Sequence, residues 1–216
     1  HSRCASLLRI RQRNGERHLA GRLGKHLVVI GEWDEAIDSL LRGIDEMQRV
    51  EGQRAALSLL ATCHDAMEAA NLAESDERWG KLWITRAGML RQLLRFHQAL
   101  RWSNKALQTA RRFGWRQVMP ESLREQGLAL IGMKQPADAA QYLEELEGWA
   151  AEEQRVDLLA HAHRALGVIA AQHNPARANL LFDRALNEYD LVDDEVGIAN
   201  TWCDMVKHLH LPEEDK

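Results

Sequence analysis

The chain of 216 residues is 45% hydrophobic and 28% charged, with a net charge of −4 and only four prolines. That length supports a sizeable core or several stacked repeats, and no apolar run approaches the ~20 residues of a membrane span. There is no sustained strand alternation, and Ala, Leu, Arg, Glu and Gln dominate. The composition therefore argues against a sheet protein and for an all-helical one.

Residues 1–13 have helical spacing at Cys4, Leu7 and Leu8, and Asn14-Gly15 breaks it. Residues 1–14 read as the tail of a preceding helix. The chain opens on HSRCAS, with no Met and no apolar leader, so a piece of a longer protein is expected. Glu16 to Ile30 reads as a helix with Leu19, Leu23, Leu27 and Ile30 on one stripe, and Gly31-Glu32 turns the chain. Trp33 to Val50 is the return helix, ended by Gly52. Gln53 to Ala70 follows, with Leu57, Leu60, Cys63 and Met67 inward.

Ser75-Asp76 offers an N-cap, and Glu77 to Phe96 reads as one long helix. His97 to Phe113 comes next, stopped by Gly114. Arg116 to Met133 follows, with Pro120 tolerable only in a first turn. Pro136 opens a helix to about Ala151, and Glu152 to Gln172 is its successor. Asn174-Pro175 caps and opens a helix to about Tyr189. Val192-Asp193-Asp194 caps the last, Glu195 to His210, and Pro212 with the tail LPEEDK closes the chain.

Small residues recur through these helices. First-helix positions are Gly24, Cys63, Ala87, Gly127 and Gly167, and return-helix positions are Ala36, Ala99, Ala139 and Ala178. Within a pair the gaps are 12, 12, 12 and 11, and steps to the next first helix are 27, 28 and 28, so the period is close to 40. Such periods mean stacked supersecondary units, with small side chains where paired helices cross. One interval departs: Ala36 to Ala99 is 63 residues where two periods would be 80. Three helices fill it instead of four. Either a return helix after Ala70 is lost, or Ser75 to Phe96 is a single helix spanning two. The second reading is preferred, and 71–96 is expected to be the least regular part.

The pattern resembles the tetratricopeptide repeat. Ala36/Leu40, Ala99/Ser103, Ala139/Leu143 and Ala178/Phe182 match its second-helix pair of a small residue and a larger one four later. Leu27, Leu90, Leu130 and Ala170 follow the first-helix small residue by three, and its aromatic survives as Trp83 and Trp202. The closing Pro is absent and the period exceeds the usual 34 or so. Both departures fit the longer helices in the repeat arms of bacterial signal-transduction ATPases and their associated transcription regulators. The resemblance covers residues 15–210. It implies an all-α, right-handed superhelical solenoid of antiparallel helix pairs, with residues 195–210 as a capping helix and 211–216 as a tail. Lys207, Asp204 and Asn200 are available for a polar outer face on that cap.

Three cysteines far apart argue against a disulfide framework and for a reducing, cytoplasmic setting, each thiol serving as a small packing residue. Charge is uneven. Residues 1–30 hold seven Lys/Arg against Glu16 alone, while residues 136–160 hold seven Asp/Glu against Arg155 alone. Head-to-tail contact between basic and acidic ends, or a steered partner, would use this asymmetry.

No phosphate loop or nucleophile elbow is present. His161 and His163 lie about 200° apart around a helix, and His208 and His210 likewise, so neither pair is read as a metal site. Asp193-Asp194-Glu195 suits a helix N-terminus without any ion. Arg111-Arg112-x-x-Trp115-Arg116 mixes base and aromatic as nucleic-acid sites do, but it lies across a helix end, and nucleic acid is not expected. Trp33, Trp83 and Trp202 are placed on packing stripes. No cofactor, metal or catalytic residue is assigned, and the chain is not read as an enzyme. The first helices of such pairs line a concave groove, where His18, Lys25, His64, Arg91, Arg124, His161 and Arg164 are expected on the exposed side. Only Glu68 and Glu121 stand nearby as carboxylates. This points to a protein or peptide partner, acidic in character, and to an interaction scaffold within a larger regulatory protein. The alternatives are a ligand-sensing arm of a bacterial signalling ATPase or transcription regulator, and an oligomerisation domain.

Overall fold

The computed structural model describes residues 1–209. Among them run eleven helices and no strand: α1 (Ser2–Arg13), α2 (Ala20–Ile30), α3 (Trp33–Val50), α4 (Gln53–Ala69), α5 (Glu77–Gln92), α6 (Phe96–Phe113), α7 (Val118–Gly132), α8 (Pro136–Glu152), α9 (Val156–Ala170), α10 (Pro175–Leu191) and α11 (Glu195–His208). His210, Pro212 and the tail fall outside the described residues. No described helix is long and apolar enough to cross a membrane.

Every substantial interhelical contact joins helices one or two apart in sequence. A bundle closed around one centre would also bring distant helices together. The first helices α5, α7, α9 and α11 touch in succession, and α5, α7 and α9 each pack on their own return helix. The result is an open stack of antiparallel pairs.

The small residues act as sockets. A Cβ on Gly24 would meet Leu40, one on Gly127 would meet Leu143, and one on Gly167 would meet the Phe182 ring, each under 3.0 Å. The expectation had Gly127 and Ala139 meeting as two small residues. Instead the glycine receives the large side chain four positions beyond that alanine. The small-on-small crossing lies elsewhere, at Gly21 and Gly43, where α2 and α3 approach backbone to backbone.

Three caps hold as expected. Asp76, Asn174 and Asp194 accept from the backbone N–H of Arg78, Arg177 and Gly197. Each satisfies a first-turn donor that no carbonyl of its helix can reach. An Asp194→Ala variant should lose about 1 kcal/mol. The first turn of α11 should then exchange its amide hydrogens faster while α5 to α8 are unchanged.

Several expectations need correction. The helix read from Glu16 begins at Ala20, behind a turn with Gly15 and His18 at positive φ. The long helix Glu77–Phe96 does not exist, since α5 ends at Gln92 and α6 starts at Phe96. Leu94 adopts φ +59°, with its N–H on Arg91 O and the Arg95 N–H on Leu90 O. That is a left-handed helix cap built without glycine. The missing element is therefore the return helix after α4: residues 70–76 lead straight from α4 into α5. Trp202 is 54% exposed and not on a packing stripe. Of the three cysteines only Cys63 is a packing residue; burial pushes its thiol up to about 12, while Cys4 and Cys203 are exposed.

Candidate functional site, a cationic groove

The lost return helix opens a concavity along the stack. α4 packs against α3 on one side and α5 on the other, and all three share one core around Leu40, Ile44, Leu60, Met67 and Leu82. With no return helix to fill the step, α3 and α5 stand across from each other above α4. The space between them, continued along α7 to the start of α9, is a groove of about 1330 Å³.

Its lining holds seven cationic side chains (Arg42, Arg49, Arg78, Lys81, Arg91, Arg124, Arg155) and four carboxylates (Asp38, Asp45, Glu121, Glu125). Some of these charges bind the walls together. Arg78 on α5 reaches Asp34 and Asp38 on α3 at 3.1 and 3.6 Å, and its own N-cap Asp76 at 2.7 Å. The Arg78 guanidinium holds the Asp76 carboxyl below its usual range, chiefly through that hydrogen bond. Arg91 on α5 donates to Glu125 on α7 at 2.8 Å, and Glu125 is only 2% exposed. Arg124 adds Glu121 at 2.9 Å and Glu125 at 3.4 Å. A carboxylate so buried needs these partners, because leaving it unpaired would cost several kcal/mol.

Arg42, Arg49 and Lys81 are different. They are exposed, they line the groove from α3 and α5, and none forms an ion pair with a described carboxylate. Arg42 reaches only its own helix, at Asp38 O and Ser39 Oγ, 3.4 Å each.

Of the seven residues expected to form the site, Arg91 and Arg124 line this groove. The other five do not. His18 sits in the turn before α2, and Lys25 projects from α2 into solvent. His64 on α4 packs edge-on against Trp79. His161 and Arg164 lie further along α9. The His161 Nδ1 is 2.6 Å from the Tyr189 hydroxyl. Burial pushes the imidazole down to about 4, helped by the positive charges of Arg124 and Arg164. It is therefore neutral at pH 7 and shares a hydrogen bond with the Tyr189 hydroxyl. Arg164 donates to Asp204 on α11 at 2.7 Å, so Asp204 faces inward and not onto an outer polar cap.

Periodicity did not point to Arg42 and Arg49, because α3 is a return helix and such helices are expected on the outer side. The one available signal was their own spacing with Asp38 and Asp45, a charged stripe on one face of α3. The basic-aromatic run has a structural role. Arg111 pairs with Glu145, Arg112 with Glu74, Arg116 with Glu153, and the Trp115 indole donates to Ser75 O. His163 likewise bridges Glu147 and Glu188 across α8, α9 and α10.

No protein-family model matches the sequence, and no curated protein matches it at a significant level. Among solved structures, the fold is similar to that of aspartyl phosphate phosphatase F from Bacillus subtilis. The TM-score is 0.68 over 95% of this chain and 61% of that one, at 13% sequence identity. The fold is a tetratricopeptide-like helical stack. At that identity the likeness speaks to the fold alone, and this chain spans about three fifths of the neighbour's length.

Proposed function

We propose that the chain is a non-catalytic scaffold whose groove takes an extended, acidic polypeptide segment of a partner, within a larger regulatory protein. The observation that carries this is the set of three unpaired cations, Arg42, Arg49 and Lys81, facing a preformed concavity of about 1330 Å³. That volume exceeds the roughly 300–1,000 Å³ of small-molecule pockets. Side chains already held by Arg78–Asp38 and Arg91–Glu125 need little ordering when a ligand enters, so more of the contact energy appears as affinity. Carboxylates of the segment would pair with the three cations, and long-range attraction would speed encounter.

Reversing Arg124 or Arg164 is a poor test, since each already neutralises a carboxylate of the stack. Arg42→Glu/Arg49→Glu/Lys81→Glu is the better variant. A fluorescent Asp/Glu-rich decapeptide should bind the parent chain, more weakly as salt rises. The triple variant should lose at least about tenfold in affinity while keeping its melting temperature. A Lys-rich decapeptide should not bind. Equal affinity of parent and variant for the acidic probe, or no binding to either, would discard the groove reading.

A further inference from the structure

The wall that α3 gives to the groove carries charges of alternating sign. Asp38, Arg42, Asp45 and Arg49 recur at helical spacing, and all four line the concavity. Asp38 is engaged from the opposite wall by Arg78. Asp45 is not. It forms no ion pair with a described residue, although Arg42 and Arg49 stand one helical turn away on either side. Arg42 turns to Asp38 O and Ser39 Oγ instead. A carboxyl paired with such neighbours would be held low. Burial pushes that of Asp45 up, against the pull of Arg49 and with the help of Glu46. What faces Asp45 is an opening. α3 and α5 run the same way, each antiparallel to α4, and Arg78 fixes their register by reaching Asp34 and Asp38. Gly88 lies ten residues beyond Arg78, and the interval 44–48, which holds Asp45, lies ten beyond those two aspartates. Both helices advance by the same rise per residue, so Gly88 stands level with Asp45. A Cβ on Gly88 would come no nearer than 3.7 Å to another side chain, the Glu125 carboxylate, so the space above it is free.

We infer that Asp45 sets the charge pattern the groove accepts: a segment with two acidic residues about three apart and a basic residue between them, the base seated against Asp45 and over Gly88. The inference rests on the groove reading above and narrows it. Arg42 and Arg49 are seven residues apart on α3, roughly 10 Å along its axis. An extended chain covers that distance in about three residues. Two carboxylates of the segment meet the two guanidinium groups, and a lysine or arginine between them neutralises Asp45. An unbroken acidic run sets a like charge against Asp45 instead. The same side chain therefore attracts one sequence and rejects the other.

Three fluorescent decapeptides test it, with Asp45→Asn as the variant, which keeps the shape of the side chain and removes its charge. One peptide is all Glu. The second has two central lysines flanked by glutamates, and the third has the same composition with both lysines at one end. The parent should bind the central-lysine peptide at least about fivefold more tightly than its end-lysine isomer. Asp45→Asn should bring the two isomers within about twofold and bind the all-Glu peptide more tightly than the parent does. The isomers have equal net charge, so long-range steering cannot produce the difference. Equal affinity of the parent for both isomers overturns the inference, and so does an Asp45→Asn variant that keeps the parent's ratio. The groove reading survives either result if the all-Glu peptide binds the parent and not Arg42→Glu/Arg49→Glu/Lys81→Glu. Failure of the parent to bind any of the three, or equal binding by the triple variant, removes both.

Discussion

Gly43→Ala is expected to destabilise the chain by about 2–3 kcal/mol, despite alanine's higher helix propensity. The added methyl would fall under 3.0 Å from the nitrogen and Cα of Gly21. Neither atom can rotate away, unlike the leucine tip that an alanine at Gly21 would meet. α2 and α3 must therefore separate, and Leu23, Leu27 and Leu40 lose packing along the whole crossing. In a protein of this size the loss reads as a fall of roughly 5–10 °C in Tm. Gly148→Ala is the matched control. Gly148 lies in α8, and a methyl there would have no neighbour within 4 Å. The propensity gain of up to about 1 kcal/mol then stands alone. An unchanged Tm for Gly43→Ala would mean that the two helices do not cross there.

The second large effect is on the acid side of neutrality and comes from His161. Its folded-state value is depressed to about 4 against an ordinary 6.5. Burial is the main cause; the Arg124 and Arg164 charges add to it, and Asp157 and Asp194 oppose it. Below pH 6.5 the unfolded chain takes up a proton at this ring and the folded chain does not. Stability is therefore lost as pH falls from 6.5 towards 4, by about 3 kcal/mol in all. His163, two residues on, acts in the opposite sense. Burial lowers its value, but the hydrogen bonds and charges of Glu188 and Glu147 outweigh that and raise it. Its contribution is present below the unfolded value and fades as pH rises through the folded one. Urea midpoints at pH 7, 6, 5 and 4 for the parent and for His161→Gln should diverge, with the variant less sensitive over that window. Parallel curves would mean that His161 is solvated.

Much of the architecture was legible from the amino acids. The return of small residues at about 40 positions sets the pairing, because at Gly24, Gly127 and Gly167 only a glycine leaves room for Leu40, Leu143 and Phe182. Asp76, Asn174 and Asp194 announced their helices by side-chain chemistry that works locally. Helix ends without glycine were harder. Asn71, Leu94, Lys134, Gln154 and Asp193 all take positive φ at a stop. At Leu94, where no turn-forming residue stands nearby, the leucine-rich run reads straight through, and that misplaced the lost helix. The site was less legible than the fold. Arg91 and Arg124 could be placed by repeat phase. Their shared partner Glu125 could not, since the 34 residues between Arg91 and Glu125 carry no local signal of the pair. Arg42 and Arg49 border the groove only because the array skips an element.

That skip behaves like a stacking fault in a crystal. In an unbroken solenoid every step offers much the same surface, and a ligand has several nearly equivalent registers to choose among. Removing one rod puts the layers on either side out of phase, and the seam between them has no duplicate along the chain. Whatever settles there has one register and a stoichiometry of one.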